Sequence, residues 1–185
     1  MAKRLNIDPD DYDFSGWATK YGVKCDDGRT IAHGAFDHFH GRKLALVWHH
    51  KHDEPAKVLG HILAEARTGG LYTYGKFNGT PNGSLAHQQV DAGDLDSLSI
   101  WANKLTTEGP IVKHGTIREV SLVLSGANSE AKIDAVMAHD GYGEPVIDED
   151  GNEVFDHIVV FGGEFIEMAA TSSDSNTTDT VGDIL

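Results

Sequence analysis

The chain has 185 residues, of which 39% are hydrophobic and 24% are charged, and it contains one cysteine. These proportions are typical of a globular protein of one domain, and a single cysteine excludes an internal disulfide. The net charge of −14 repels phosphates and anionic lipid headgroups, so we expect no nucleic-acid or membrane partner.

Short apolar runs separated by turn residues indicate a mainly β protein. In chain order, strands are predicted at 44–48, 58–65, 71–77, 98–105 and 116–124. Between the third and fourth strands, residues 84–92 predict a helix with Ser84 as its N-cap and Gly93 after its last turn. A second helix is predicted at 130–138, because Ile133, Val136 and Met137 fall on one helical face.

The last third of the chain predicts further β structure and then a polar tail. Residues 146–155 resemble a hairpin with Asp150-Gly151 at its turn, and 157–168 a strand pair interrupted at Gly162-Gly163. Residues 170–180 are polar and low in complexity, which is typical of a flexible linker. We therefore expect one folded domain over 1–168, a linker over 169–185, and an apolar end at 181–185 that begins a missing segment.

Histidine is unusually dense in the first third of the chain. Seven histidines fall within 29 residues: His33, His38, His40, His49, His50, His52 and His61. The pairs 38/40 and 50/52 have a spacing that places two imidazoles on one strand face, so a metal site is one hypothesis. No cysteine lies close by and no HExxH motif occurs, and a merely polar surface is the other interpretation.

A second hypothesis gives one histidine the role of general base for a serine nucleophile, since a neutral hydroxyl needs an adjacent base. Alternation in 97–101 places Ser99 on the face opposite Leu98 and Ile100, and alternation in 117–124 separates Glu119 from the apolar face in the same way. His50 follows a buried strand where the chain enters a turn. Spacing alone leaves open a solvated serine and a surface ion pair between Glu119 and Arg118.

Four segments stand in a fixed order over about residues 10–140. They are Leu-Val-Trp-His-His at 46–50 followed by Pro55 and Gly60, Leu-Tyr-Thr-Tyr-Gly-Lys-Phe at 71–77, Leu-Ser-Ile at 98–100, and Arg-Glu-Val-Ser-Leu-Val at 118–123 followed by Gly-Ala-Asn at 126–128. In order and spacing they resemble the blocks of the prohead (head maturation) proteases of tailed phages. That family is similar in fold to the herpesvirus maturation proteases, the assemblins.

The resemblance implies an α+β, mainly β fold, with an antiparallel barrel-like core flanked by a few helices. It implies a serine endopeptidase that cleaves scaffold and capsid-protein extensions inside the immature head, in the cytoplasm of the infected host cell. The expected partners are the major capsid protein and a scaffold segment, with self-association during head assembly. No cofactor and no metal are expected, and fusion to a scaffold segment would account for the linker at 169–185.

Carried over residue by residue, the resemblance implies Ser99 as nucleophile and His50 as base, with His49 as the alternative base. Glu119 is the candidate third member, and His114 is its rival, because the herpesvirus relatives use a second histidine in that role. Two other functions remain as alternatives. One is a non-catalytic, protease-like scaffold or structural head protein, and the other is a His-rich metal-binding protein.

Overall fold

A computed structural model describes residues 3–137 of the chain, together with the backbone of 146–147, 153–154 and 158–160. This described part contains one α-helix, α1 (Pro81–Asp91), and three single-turn 3-10 segments at Pro9–Asp11, Asp37–Phe39 and Pro55–Lys57. Its strands are β1 (Phe14–Lys20), β2 (Thr30–Ile31), β3 (Lys43–Trp48), β4 (Val58–Arg67), β5 (Gly70–Phe77), β6 (Ser97–Glu108), β7 (Ile111–Val123), β8 (Ile133–Met137), β9 (Val146–Ile147), β10 (Glu153–Val154) and β11 (Ile158–Val160). The prediction of a mainly β fold is confirmed.

Nine of these strands form one mixed sheet. Its order is β11-β8-β1-β5-β4-β3-β7-β2, and β6 pairs with the other edge of β7. The expectation of an antiparallel core was wrong at β7, which runs parallel to both β2 and β3. Long connections that include β4, β5 and α1 separate β3 from β7, and a connection of that length permits a parallel pair.

The barrel-like arrangement is not confirmed, because the described sheet is not closed. A single bridge between Ser97 and Lys132, rather than a ladder of pairs, joins the start of β6 to the chain just before β8. The expectation of several flanking helices was also wrong within the described residues, where α1 is the one α-helix. None of the helical segments described combines the length and apolar character that a membrane span requires.

The core lies between the apolar faces of the strands and α1. Its fully buried side chains include Phe14, Leu46, Ile62, Leu98 and Leu122, each at 0% exposure. Alternating strand residues point to the same face, so this set holds β1, β3, β4 and the β6–β7 hairpin in register. The burial of so many large side chains on β6 and β7 makes that hairpin a rigid support for the polar residues on its other face.

The hairpin formed by β6 and β7 is longer than predicted. Its strands span Ser97–Glu108 and Ile111–Val123, whereas alternation predicted 98–105 and 116–124. Gly109, with φ of 55°, and Pro110 make the tight turn between them. The pairing therefore continues to the turn itself, through polar residues that carry little hydrophobic pattern.

Both helix predictions need correction. Helix α1 begins at Pro81 rather than near Ser84, because Thr80 is the N-cap and its hydroxyl accepts the N–H of Gly83, with proline at the first helical position. The predicted helix at 130–138 is wrong, since this segment contains strand β8, paired with β1 and β11. Ile133 and Val136 are both buried, and a run this short is compatible with either periodicity.

The predicted C-terminal hairpin is confirmed by the antiparallel pairing of β9 with β10, while its turn at 150–151 lies outside the described residues. Strand β11 confirms only the first strand of the predicted pair at 157–168. Gly162-Gly163, the domain boundary at 168–169, the linker at 170–180 and the apolar end at 181–185 also lie outside the described residues.

Candidate active site

The hairpin β6–β7 places Ser99 and Glu119 on one face. Ser99 lies directly opposite Ser121 in the ladder, and Trp101 lies opposite Glu119. Residues opposite one another in an antiparallel pair have Cβ atoms about 4.5–5.5 Å apart. Ser99 and Glu119 are therefore diagonal neighbours on one face of adjacent strands. Alternation predicted only that each points away from the apolar face of its own strand.

Strand β3 brings the histidine to the same face from the other edge of β7. Its last residues pair in parallel with β7, Val47 with Ser121 and Trp48 with Leu122. The chain then turns at His49 and His50, whose φ angles of 46° and 59° lie in the left-handed region, which is uncommon for residues other than glycine. The backbone N–H of His50 donates to Ser121 Oγ at 2.9 Å, which holds this turn against the sheet.

The imidazole of His50 lies between the other two candidates. Its Nε2 is 3.1 Å from Ser99 Oγ and its Nδ1 is 2.6 Å from Glu119 Oε1. An ionised carboxylate can only accept hydrogen bonds, so Nδ1 carries the proton and Nε2 is free to accept the Ser99 hydroxyl proton. Both distances lie within the reach of roughly 2.6–3.2 Å that proton transfer requires.

The carboxylate of Glu119 is buried, at 1% exposure, and so is Ser121, at 0%. Ser121 Oγ donates to Glu119 Oε2 at 2.8 Å, so each carboxylate oxygen accepts a hydrogen bond from a separate donor. A buried charge requires such partners. The surface ion pair with Arg118, left open by spacing, is therefore not the arrangement that Glu119 adopts.

Sequence reasoning did not assign a role to Ser121, although it placed this residue on the face of Glu119. Ser121 connects the backbone of His50 to Glu119 through one hydroxyl, which accepts from the former and donates to the latter. The sequence shows that Ser121 lies two residues after Glu119 on a strand, and therefore on the same strand face. That spacing cannot reveal a contact with a histidine 71 positions away.

Solvent reaches the site from the side of His50 and Ser99. The side chain of His50 is 34% exposed and Ser99 is half-buried. Trp101 is exposed on the same strand face, and its ring packs against that of His52 with 4.5 Å between the ring centroids. The His50 ring and the Ser99 side chain are therefore both accessible to solvent, as cleavage of a polypeptide requires.

The two rival histidines lie elsewhere. His114 stacks on His38, with ring centroids 4.3 Å apart and planes 11° from parallel. It precedes Glu119 by five residues on β7, which is about 17 Å along an extended strand, so the structure does not bring it to His50. The Nε2 atom of His49 accepts a hydrogen bond from the N–H of Leu124 at 3.1 Å, so this ring is bonded to the loop that follows β7.

The remaining histidines of the dense segment are dispersed. His40 Nδ1 accepts the N–H of Ala66 at 3.2 Å, and the His33 ring packs edge-on against Tyr21. Among the residues that the structure describes, no three histidine, cysteine or acidic side chains are placed to hold a metal ion together. The geometry of this part of the chain therefore does not favour the metal-binding hypothesis.

In comparison with known proteins, a family model described as Caudovirus prohead serine protease (Peptidase_S78) matches residues 3–142. No curated protein and no solved structure matches the chain. The matched span includes Ser99, His50 and Glu119, and it covers the whole of the sheet from β1 to β8.

Proposed function

The chain belongs to the caudovirus prohead serine proteases, and from this premise we propose that it is an endopeptidase that cleaves scaffold and capsid-protein extensions as the phage head matures. Ser99 is the nucleophile, His50 the general base and Glu119 the residue that orients the base. The observation that carries the proposal is the position of the His50 ring, within hydrogen-bond reach of Ser99 on one side and of a buried carboxylate on the other.

The first half of the reaction forms an acyl-enzyme. His50 Nε2 takes the hydroxyl proton as Ser99 Oγ attacks the scissile carbonyl carbon, and the carbonyl oxygen becomes an oxyanion. The ring is then an imidazolium, which the adjacent charge of Glu119 stabilises. When the carbon–nitrogen bond breaks, His50 gives its proton to the departing amine, and the acyl group remains on Ser99.

The second half repeats these steps with water. His50 takes a proton from the water molecule that attacks the acyl carbon, and returns it to Ser99 Oγ as the ester bond breaks. Throughout, the hydrogen bond from Nδ1 to Glu119 keeps the ring in one tautomer and one orientation.

The proposed place of action is the interior of the immature head in the infected cell, as the role of the family implies. There the major capsid protein and the scaffold would be held at high local concentration beside the protease. Self-association of the protease during head assembly belongs to the same proposal. The chain has a net charge of −14 and therefore repels nucleic acid. Before the head is packaged, nucleic acid would not compete with these protein substrates for the protease.

The test is co-expression of the chain with its capsid protein, with intact mass spectrometry of the capsid protein as the readout. The unaltered chain and a Ser97→Ala control variant should both shorten the capsid protein, while Ser99→Ala and His50→Ala should leave it at full length. Shortening by Ser99→Ala at the normal rate would contradict the proposal and favour a structural head protein.

The assignment of the base has its own control in the neighbouring residue. His49→Ala loses a hydrogen bond to a loop N–H and a ring contact with Trp48, neither of which involves Ser99 or Glu119. We therefore expect it to retain cleavage within about tenfold, since a single such hydrogen bond contributes about 1 kcal/mol. His50→Ala removes the group that accepts the serine proton. If His49→Ala abolished cleavage in a folded protein and His50→Ala did not, the base would be misassigned by one residue.

A further inference from the structure

A cavity of about 330 Å³ opens beside Ser99. Its size lies at the lower end of the range of ligand-binding pockets. The lining comes from β6, from β1, β2 and β7, and from the chain near residues 25–29, 36 and 127–128. The lining residues used in the argument below are Ser99, Ala102, Leu105, Ile31, Phe36 and Val112. We refer to it as the Ser99 cavity. Apart from the serine, the other five of these residues are apolar.

The polar groups in the lining are already satisfied. Asp27 and Arg29 form an ion pair, with 2.8 Å between Arg29 Nε and the carboxylate oxygen Oδ2, so their charges compensate. Asn128 donates to Thr19 Oγ1 at 3.1 Å. Burial, and next the nearby charge of Asp27, raises the pKa of the Cys25 thiol, which is therefore uncharged at neutral pH. The cavity thus offers no net charge to an occupant.

The free edge of β6 borders the Ser99 cavity. The N–H of Leu98 bonds to the carbonyl of Ala131 at 2.9 Å, on the side away from β7. Backbone groups in an antiparallel strand alternate between its two sides, so the N–H and C=O of Ile100 also point away from β7. Beyond Ser99, β6 pairs with β7 alone within the described part of the chain. An extended peptide can add to such an edge by main-chain hydrogen bonds.

We propose that the Ser99 cavity binds the side chain of the substrate residue whose carbonyl Ser99 attacks, and that it selects a large apolar side chain such as Leu, Met or Phe at that position. The proposal rests on the proposed function, because it needs a peptide bond placed at Ser99. Two observations and one inference favour this occupant. The cavity is adjacent to Ser99, and its lining combines apolar residues with an Asp27–Arg29 ion pair, so it carries no net charge. A peptide paired with the β6 edge would project alternate side chains toward it.

The volume sets the expected degree of selection. A large apolar side chain fills more of the space than alanine does, and each additional buried methylene favours binding. One methylene in a hydrophobic pocket changes kcat/KM by about 10-fold to 200-fold. We therefore expect kcat/KM for a Leu, Met or Phe substrate to exceed that for the matched Ala substrate by at least about tenfold, and the Asp and Lys substrates to be the poorest.

The experiment uses peptides that differ only at the residue on the acyl side of the scissile bond, each with a fluorescent amine as the leaving group. Such peptides carry no residues beyond the scissile bond, so they report the acyl-side pocket alone. The residues before that position are taken from the cleavage site found in the capsid protein. The same peptides, labelled at the N-terminus, are titrated against Ser99→Ala by fluorescence anisotropy, which measures binding without hydrolysis.

Two variants test the cavity itself. Ala102→Phe places a ring into the space from a half-buried position on β6, and Thr107→Phe adds the same ring at an exposed position on β6 outside the lining. We expect Ala102→Phe to lower kcat/KM for the Leu, Met and Phe peptides by about tenfold or more while the Ala peptide is little changed. Thr107→Phe should leave kcat/KM unchanged for the Leu, Met and Phe peptides and for the Ala peptide.

A third variant tests for a gain of preference. Ala102→Asp puts a carboxylate into the cavity, so the best acyl-side residue should change from an apolar residue to Lys or Arg. The proposal is supported if Ala102→Phe no longer prefers the Leu, Met or Phe peptide over the Ala peptide, whether or not Ala102→Asp gains a preference for Lys or Arg. Equal losses for all peptides in Ala102→Phe, with Thr107→Phe unaffected, would overturn it.

The two proposals fail in different ways. Binding to Ser99→Ala that favours Leu, Met or Phe, together with no hydrolysis by the unaltered chain, would contradict the proposed function and support the pocket. Hydrolysis that does not discriminate between Ala and Phe on the acyl side would overturn the proposed specificity pocket and would still support the proposed protease function.

Discussion

Replacing Ser121 with alanine tests whether the site depends on a residue that does not touch the substrate. The substitution removes one hydroxyl that accepts the His50 backbone N–H at 2.9 Å and donates to Glu119 Oε2 at 2.8 Å. The residue is fully buried, so water cannot readily replace the lost partner. The N–H of His50 and Oε2 of Glu119 each lose the hydrogen bond that they make with this hydroxyl.

The magnitude follows from these two hydrogen bonds. A hydrogen bond between neutral groups contributes about 1 kcal/mol and one to a charged group about 1.5–3 kcal/mol, so the sum is about 2.5–4 kcal/mol. Part of that sum lowers the free energy of unfolding, and part is lost only when His50 becomes charged in the transition state. If half of the sum acts on the reaction, kcat falls about 10-fold to 30-fold, because 1.36 kcal/mol corresponds to a factor of ten.

The assay combines peptide hydrolysis with denaturant unfolding. We expect Ser121→Ala to lower kcat with little change in KM, and to lower the unfolding free energy by about 1–2 kcal/mol. Ser97→Ala is a matched control, since Ser97 is also buried and its hydroxyl bonds to Asp96 at 2.8 Å and to Lys132 at 2.7 Å. It should lose comparable stability and retain kcat.

Two results would refute this reasoning. Equal losses of kcat in Ser121→Ala and Ser97→Ala would show that any buried serine of the hairpin matters through stability alone. A Ser121→Ala variant with unchanged kcat and unchanged stability would show that the two hydrogen bonds contribute nothing. Restoration of kcat by Ser121→Thr, which keeps the hydroxyl, would support the positioning role.

Three further predictions concern charge, packing and pH. Glu119→Gln keeps the shape of the site but removes its negative charge, so kcat should fall by about 10³-fold to 10⁴-fold with KM little changed. Gly75→Ala places a Cβ in collision with the buried Phe14 ring, and overpacking of this kind lowers the unfolding free energy by about 1–3 kcal/mol in denaturant titrations. Burial, and next His114, lowers the pKa of His38. Unfolding therefore takes up a proton as the pH falls below about 6.5, and stability declines with it, less steeply in His38→Gln.

Each of these three has a clear contrary outcome. Glu119→Gln with nearly normal kcat would remove Glu119 from the mechanism. Gly79→Ala, where an added Cβ meets nothing within 4 Å, is the control for Gly75→Ala, and equal stabilities of the two variants would contradict the packing argument. An unfolding free energy that declines equally in His38→Gln and in the unaltered chain between pH 7 and 5.5 would remove His38 from the acid response.

Local patterns in the sequence predicted the central strands and the face on which each site residue lies. Alternation around Leu98 and Val120 is a property of a few neighbouring residues, so it can be determined without knowing the rest of the fold. The same short range explains the error at β8, where Ile133 and Val136 fit a helical face as well as a strand. Pairing with β1 decides between them, and that pairing is not local.

The assembly of the site could not be derived from periodicity. His50 reaches β7 only because β3 pairs with it in parallel across about 70 positions of the chain. The left-handed turn at His49 and His50 also lacks a local signal, since neither residue is glycine. The resemblance to a known family supplied the residues, whereas the contacts of Ser121 required the structure.

The parallel pairing of β3 with β7 also has a consequence for when the proposed protease would become active. Ser99, Glu119 and Ser121 belong to one hairpin, which forms by local contacts, but His50 joins them only after the chain closes a loop of about 70 residues, and contacts of that separation form late in folding. Under the proposed mechanism, a nascent or partly folded chain would carry the Ser99 hydroxyl without its base. Such a chain would gain the capacity to cleave only when the fold is complete.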